Sequence, residues 1–100
     1  MTISQTLNGK DLTIALGGYL DTTTSPELKA LLDRTMDSIE TLTFDFKSLE
    51  YISSAGLRVL LTAHMAMSGK GGMKILNANE EIIESMTVTG LADMLTIEKA

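Results

Sequence analysis

Apolar and polar residues alternate along two stretches near the start of the chain, which is the pattern of β-strands with one buried face. Between them, Asn8-Gly9 favours a type I′ turn, in which both central residues have positive φ. We therefore predict an antiparallel hairpin over about residues 2–7 and 10–16, with a bend or bulge at Gly17-Gly18. The alternating positions are Ile3, Gln5 and Leu7, then Leu12, Ile14 and Leu16.

Three later stretches repeat apolar residues at intervals of three and four, the spacing of an amphipathic helix. The first starts with Ser25 as its N-cap and Pro26 as its first helical residue. The second follows Ser54, and the third is capped by Asn79. Their apolar stripes are Leu28, Leu31, Leu32, Met36 and Ile39, then Leu57, Leu60, Leu61 and Met65, and finally Ile82, Ile83 and Met86.

Strand patterns at residues 42–46 and 73–76 separate these helices, and residues 91–97 are expected to add a helical turn and an edge strand. The order is therefore β-β-α-β-α-β-α-(β), with no linker, repeat or low-complexity segment. Strand–helix–strand connections of this kind are right-handed and make parallel pairs. We predict an α/β fold: one small domain over residues 1–100, with a mixed β-sheet covered by helices, in which an N-terminal β-hairpin precedes β-α repeats.

Composition and charge mainly exclude functions. The 100 residues are 44% hydrophobic and contain no cysteine, which rules out disulfides and thiolate metal sites and fits a reducing compartment. The 8 basic residues are scattered among 13 acidic ones, for a net charge of −5, so neither nucleic acid nor an anionic membrane is an expected partner. No apolar run reaches the roughly 20 residues of a membrane helix, and the N-terminus does not resemble a signal peptide.

The sequence contains no complete catalytic or metal-binding motif, and we expect no catalytic residue, metal or cofactor. The single histidine, His64, follows Ser54 by ten residues on the same predicted helix, so about 15 Å along the axis separates them. Residues 69–72 superficially resemble a phosphate loop. They follow a helix, however, and lack a Ser or Thr after Lys70, so a helix C-cap and turn is the better interpretation.

Ser53 and Ser54 stand where the strand pattern gives way to the helix, and this junction leaves a choice. On local pattern alone, Ser54 is an N-cap and Ser53 belongs to the loop. Ala55 and Gly56 are an unusual start for a helix, because glycine there costs up to about 1 kcal/mol relative to alanine. Their smallness leaves the Ser54 hydroxyl open to a large partner. The alternative is that Ser54 receives a phosphate, which free N–H groups at a helix start stabilise and with which Arg58 could pair.

Three blocks of the sequence resemble a known family. Residues 42–61, which contain Ser53-Ser54-Ala55-Gly56-Leu57, are similar to the signature of the STAS domain, named for sulphate transporters and anti-sigma factor antagonists. Residues 19–28 and 89–91 are similar to two further blocks of the family, in the same order. The resemblance covers nearly the whole chain and implies the STAS fold. It is closest to the free-standing bacterial antagonists, also called anti-anti-sigma factors.

This resemblance implies a partner-switching regulator of transcription that acts in the cytoplasm and is not an enzyme. Such a protein binds an anti-sigma factor that is also a serine kinase with a histidine-kinase-like ATPase fold, and binding frees the sigma factor. The kinase phosphorylates one serine of the antagonist, which ends binding, and a metal-dependent PPM-type serine phosphatase resets it. The alternative function is a non-phosphorylated STAS interaction or scaffold subunit of a larger complex.

The resemblance also assigns site residues. Aligned on Gly56-Leu57, the phosphorylated serine of the family falls on Ser54, with Ser53 as the alternative acceptor. The best-known members have an acid directly before the phosphorylated serine, where this chain has Ser53. Asp45 matches the family's strand-end acid and is expected to help shape the site. The implied partner-binding face consists of Asp21, Thr22, Thr23, Ser53, Ser54, Ala55, Gly56, Leu57 and Arg58.

Overall fold

The computed structural model describes residues 1–99, which form five β-strands, three α-helices and two short 3-10 turns. The strands are β1 (Thr2–Asn8), β2 (Asp11–Leu20), β3 (Thr41–Ile52), β4 (Met73–Ala78) and β5 (Thr96–Lys99). The helices are α1 (Ser25–Thr35), α2 (Ser54–Met67) and α3 (Glu80–Val88), and the 3-10 turns are Met36–Ser38 and Leu91–Asp93. The predicted order of elements is confirmed, including the helical turn and strand of the tail.

The five strands form one mixed sheet in the order β1-β2-β3-β4-β5. β1 and β2 pair antiparallel as the predicted hairpin, and the later neighbours pair parallel, as strand–helix–strand connections require. Alternate residues of β2 and β3, such as Ile14 and Phe44, are buried, and buried side chains of all three helices join them in one core. The predicted mixed sheet covered by helices is confirmed.

The hairpin turn is not the expected type I′. Asn8 pairs with Asp11 in the ladder, so the turn residues are Gly9 and Lys10. Gly9 has a φ of 65°, whereas Asn8 and Lys10 have negative φ, which is the pattern of a type II′ turn. The observed register places Leu7 opposite Leu12. The expected turn would place Leu7 opposite Lys10, so cross-strand apolar pairing accounts for the difference.

Gly17 and Gly18 interrupt the pairing of β2 with β3, as predicted. The register shifts between Ala15 and Gly17 and again between Gly18 and Tyr19, and Gly18 has a φ of 89° that favours glycine. Beyond these bulges the last residues of the two strands pair again, with Leu20 opposite Ile52. The bulges therefore bring the ends of β2 and β3 side by side at the start of the loops that follow them.

The start of α1 lies one residue earlier than predicted. Thr24 is the N-cap and Ser25 is the first helical residue, so the assignment of Ser25 as N-cap was wrong. The Ser25 N–H donates to the Asp21 carbonyl at 2.8 Å, which draws Ser25 into the first turn, where it is buried. The other end also comes early, because α1 ends at Thr35 and Met36 belongs to the 3-10 turn.

The buried face of α2 differs from the predicted stripe. The predicted burial of Leu57 and Leu60 is confirmed, but the main buried series runs at alternating intervals of four and three, at Gly56, Leu60, Ala63 and Met67. Met65 is 66% exposed, so its predicted burial was wrong. Positions 57, 61 and 65 are spaced by four residues, about 400° of helix rotation per step, so this series drifts off the buried face. For α3, the predicted Asn79 cap is confirmed, since its side chain accepts the Ile82 N–H at 2.9 Å.

Candidate functional site

The junction between β3 and α2 separates the roles of the two serines. Ser53 is the N-cap of α2: its backbone is extended and its Oγ accepts the Gly56 N–H at 3.4 Å. The Ser53 N–H donates to the Leu20 carbonyl at 2.9 Å, which fixes the start of the helix against the end of β2. The local assignment of Ser54 as N-cap and Ser53 as loop was therefore wrong.

Ser54 is the first helical residue and is exposed. Its hydroxyl makes no hydrogen bond within residues 1–99, and neither its N–H nor that of Ala55 finds an acceptor there. These are the N–H groups that a helix leaves unpaired at its start, where the helix dipole also favours negative charge. The exposed hydroxyl of Ser54 thus lies beside a group of backbone donors that is suited to an anion.

Gly56 has a packing role that its sequence context did not reveal. It is buried, and a Cβ at this position would lie 2.8 Å from Leu20 Cγ and 2.8 Å from Ile52 Cγ1. Such distances are shorter than real contacts of a Cβ, so a side chain here would push the first turn of α2 away from the ends of β2 and β3. Glycine at this position therefore allows the close approach of the helix, rather than only exposing the neighbouring hydroxyl.

The loop between β2 and α1 is held by the side chains of Asp21 and Thr24. Asp21 Oδ1 accepts the N–H groups of Thr23 at 3.0 Å and Thr24 at 3.1 Å. Thr24 Oγ1 accepts the Asp21 N–H at 2.9 Å and donates to the Tyr19 carbonyl at 2.8 Å. The Thr24 N–H, followed by that of Thr23, holds the pKa of Asp21 below its ordinary value, so this carboxylate is ionised at neutral pH.

The structure brings the two halves of the predicted partner-binding face together. Thr22 lines the same groove as Ala55 and Arg58, and both Thr22 and Arg58 are exposed. Asp21 and Thr23 lie in the same loop, with Thr23 exposed. Gly56 and Leu57 are buried, so they would shape this face from beneath rather than contact a partner.

Two tyrosines beside this face were not singled out from the sequence. Tyr19 and Tyr51 are 54% and 48% exposed, and their ring centroids lie 5.9 Å apart at the ends of β2 and β3. Together with Glu50, Glu80 and Glu81 they line a shallow depression. Large exposed aromatics are common in protein interfaces, and their position directly before the two predicted loops is the signal that could have identified them.

Asp45 is not at a strand end as expected, because β3 continues for seven residues to Ile52. It occupies the last position at which β3 pairs with β4, and its Oδ1 accepts from the Asn77 side-chain amide at 3.0 Å and from the Lys47 N–H at 3.0 Å. The Asn77 amide, followed by the Lys47 N–H, holds the pKa of Asp45 below its ordinary value. Asn77 has a φ of 62°, a conformation that asparagine tolerates better than most residues.

The glycine-rich turn after α2 has a structural role, and the acidic residues form no metal site among the described residues. Lys70 Nζ donates to the carbonyls of Met36 at 2.5 Å and Ile39 at 2.9 Å, so the glycine-rich turn after α2 is tied to the 3-10 turn that follows α1. The described residues contain no group of three or more His, Cys, Asp or Glu side chains that could hold a metal ion. None of their helices is long and apolar enough to cross a membrane.

The fold and this junction define a class of small α/β domain: a mixed sheet, three helices against it, and an exposed serine on the first turn of the helix after β3. A model of the STAS domain family matches residues 3–100. The chain therefore belongs to the STAS domain family, as its sequence blocks indicated.

Solved structures share this fold. An anti-sigma factor antagonist from Mycobacterium paratuberculosis has a TM-score of 0.89 and 19% identity, over 99% of this chain and 86% of that chain. The unphosphorylated form of the anti-sigma factor antagonist SpoIIAA has a TM-score of 0.84 and 17% identity, over 96% and 87%. The STAS domain of a SulP transporter from Vibrio cholerae has a TM-score of 0.64 and 12% identity, over 95% and 77%. No curated protein is significantly similar in sequence.

Proposed function

We propose that this chain is an anti-sigma factor antagonist whose binding is switched by phosphorylation of Ser54. In its unphosphorylated form it binds an anti-sigma factor serine kinase with a histidine-kinase-like ATPase fold, and the kinase ends that binding by phosphorylating Ser54. A PPM-type serine phosphatase restores the binding form. The observation that carries this proposal is the division of roles at the start of α2, where Ser53 caps the helix and Ser54 is left exposed with a free hydroxyl.

The fold would tolerate a phosphate at Ser54. The added group carries about −1.5 to −2 charges at neutral pH, and the free N–H groups of Ser54 and Ala55 can hydrogen-bond to it. Arg58 lies one helical turn further on and is exposed, within reach of a phosphate on the same helix face. Because the cap of α2 is supplied by Ser53, modification of Ser54 removes no hydrogen bond that the helix start needs.

A partner bound over the same residues would not tolerate the phosphate. Ser54 is next to the loop of Asp21, whose carboxylate is ionised, and the whole chain already carries a net charge of −5. A close interface here would have to desolvate the phosphate as well as the carboxylate, and burying an unpaired charge is costly. Phosphorylation is therefore expected to change binding and not folding.

Phosphopeptide mapping of the protein from its native host tests the acceptor site. Trypsin cleavage after Lys47 and Arg58 releases one peptide that contains Ser48, Ser53 and Ser54, and fragmentation distinguishes them. Phosphate on Ser54 is the expected result. Phosphate on Ser53 would support the switch but overturn the assignment of Ser54 as the acceptor. Absence of phosphate from both serines in all growth and stress conditions would contradict the switch itself.

Binding of variants to the candidate kinase tests the switch. Ser54→Ala is expected to bind and to remain bound in the presence of ATP, and Ser54→Asp is expected to fold normally and bind weakly. Ser53→Ala is the matched control, since it removes the neighbouring hydroxyl and leaves the acceptor. Equal affinity of Ser54→Ala and Ser54→Asp would contradict the proposed function.

The alternative function is a STAS interaction or scaffold subunit that is not phosphorylated. The observation that favours it is the similarity of the fold to the STAS domain of a SulP transporter, where this domain is one part of a transporter. A stable complex from the native host that is unaffected by Ser54→Asp would support this alternative over the switch.

A further inference from the structure

A groove runs between α1 and α2 on the outer side of the core. Its volume is about 330 Å³, and aliphatic side chains form much of its wall, among them Leu32, Met36, Val59 and Ala63. Small-molecule sites start at about 300 Å³, and a cavity of about 150 Å³ holds one benzene molecule, so this groove has room for about a dozen non-hydrogen atoms. The groove is therefore of a size for a small apolar molecule.

Ser25 gives one end of this groove an unpaired polar group. The side chain lines the groove and is 4% exposed, and its Oγ has no hydrogen-bond partner among the described residues. A buried hydroxyl without a partner is uncommon and unfavourable, because it has lost its bonds to water without replacement. An acceptor supplied by a bound molecule would satisfy it.

Arg58 gives the same end a positive charge. α1 and α2 each connect two parallel strands, so they run in the same direction, and Ser25 and Arg58 lie in the first and second turns of their helices. Arg58 lines the groove and forms no ion pair with the described residues. Lys29, on the opposite wall, is already paired with Asp33 at 3.0 Å. This end of the groove therefore carries a net positive charge from Arg58.

We propose that the groove between α1 and α2 binds a small apolar carboxylate. Its carboxylate lies at the end formed by Ser25 and Arg58, where it accepts a hydrogen bond from the Ser25 hydroxyl and pairs with the Arg58 guanidinium. Its hydrocarbon part extends between the helices towards Met36 and Ala66. This site goes beyond the proposed switch, since binding of the acid requires neither the kinase nor phosphorylation and can be measured on the isolated chain.

Titration of the ¹⁵N-labelled full chain with octanoate, followed by NMR, tests the site. We expect saturable shifts confined to the facing sides of α1 and α2. Octylammonium, which has the same chain with the opposite charge, is expected to bind about tenfold more weakly. Ala66→Phe, which fills the far end of the groove from an exposed position, is expected to abolish binding. Met65→Phe is the matched control, because Met65 is exposed on the same helix and lies outside the groove.

Ser25→Ala is expected to change the stability of the free protein and its affinity for octanoate in opposite directions. Removal of an unpaired buried hydroxyl is expected to raise the melting temperature of the free protein, while loss of its bond to the carboxylate weakens octanoate binding about fivefold. Absence of saturable shifts, equal binding of octylammonium, or unchanged binding by Ala66→Phe would each overturn the site. A lower melting temperature for Ser25→Ala, or unchanged octanoate affinity, would overturn the role of Ser25 in it.

Discussion

Replacing Gly56 with alanine should destabilise the protein, although alanine is the better helix former. The added Cβ would lie 2.8 Å from Leu20 Cγ and 2.8 Å from Ile52 Cγ1, and these buried neighbours belong to the ends of β2 and β3. Overpacking of this kind costs about 1–3 kcal/mol. The gain in helix propensity offsets at most about 1 kcal/mol. Because both contacts would be 2.8 Å and both neighbours are buried, we take the upper part of the overpacking range, about 2–3 kcal/mol. With up to about 1 kcal/mol regained from helix propensity, we expect the free energy of unfolding to fall by about 1–2 kcal/mol.

Thermal and urea unfolding followed by circular dichroism measure this change. For a domain of 100 residues, a loss of 1–2 kcal/mol lowers the melting temperature by about 5–15 °C. Gly69→Ala is the matched control: a Cβ there meets no atom within 4 Å and its φ is not positive, so its stability should change by less than about 1 kcal/mol, in the stabilising direction. A Gly56→Ala variant as stable as the wild type would refute the argument.

A double-mutant cycle identifies the contact responsible. Leu20→Ala alone should cost about 2–5 kcal/mol, because it leaves a cavity in the core. In the double variant the new Cβ of residue 56 enters that cavity, so the two changes together should cost less than their sum by about 1 kcal/mol or more. Simple additivity would mean that Leu20 is not the neighbour that excludes a side chain from position 56.

Four further variants test the site and its supports. Asn77→Gly keeps the positive φ but removes the amide, so NMR titration should show the pKa of Asp45 rising toward its ordinary value. The wild type gains stability from the lowered pKa of Asp45 above the ordinary pKa of an aspartate, and it loses this gain as the pH falls through the pKa of the folded state. The difference in unfolding free energy between the wild type and Asn77→Gly should therefore narrow below about pH 4. Ser53→Ala removes the cap of α2 and should lower the unfolding free energy by about 0.5–1 kcal/mol. Ser54→Ala removes no such bond and should change the unfolding free energy by less than about 0.5 kcal/mol. Equal losses for the two variants would contradict the division of roles between the serines. Lys70→Met removes two hydrogen bonds to carbonyls, and urea unfolding should show a loss of about 1–2 kcal/mol in unfolding free energy. This loss is smaller than two buried charged bonds would give, because the lysine is exposed to solvent. An unchanged unfolding free energy would mean that these bonds do not stabilise the fold.

The order of elements could be predicted because it depends on periodicity. In β2 as far as Leu16 and in β3 as far as Phe46 every second residue is buried, and one buried sheet face imposes that alternation on any sequence. The start of α3 could be predicted for a local reason as well, since Asn79 caps the helix within its own segment. The cap of α3 was therefore recovered from its own segment, whereas that of α1, where Thr24 and not Ser25 is the N-cap, was not.

The errors at the candidate site fell where distant segments meet. The helix after β3 starts at Ser54 because the Ser53 N–H is taken by the Leu20 carbonyl, more than thirty residues earlier in the chain. Likewise, the small size of Gly56 suggested access to the serine hydroxyl, while the structure shows that Leu20 and Ile52 leave no room for a side chain. Neither contact leaves a periodic signal in the sequence, so the site's residues could be named but their individual roles could not.

The cap at Ser53 also bears on how this chain departs from the family pattern at the proposed site. The best-known members carry an acid directly before the phosphorylated serine, and Asp and Ser are about equally good N-caps, because each offers a side-chain oxygen to the N–H groups of the first turn. Ser53 keeps that function here, with its Oγ on the Gly56 N–H. It differs in charge: a carboxylate at the cap would repel a phosphate on Ser54, whereas a hydroxyl does not. The same proposed switch would therefore favour the phosphorylated state more in this chain than in a relative with an acidic cap, with no change in the fold that presents the serine.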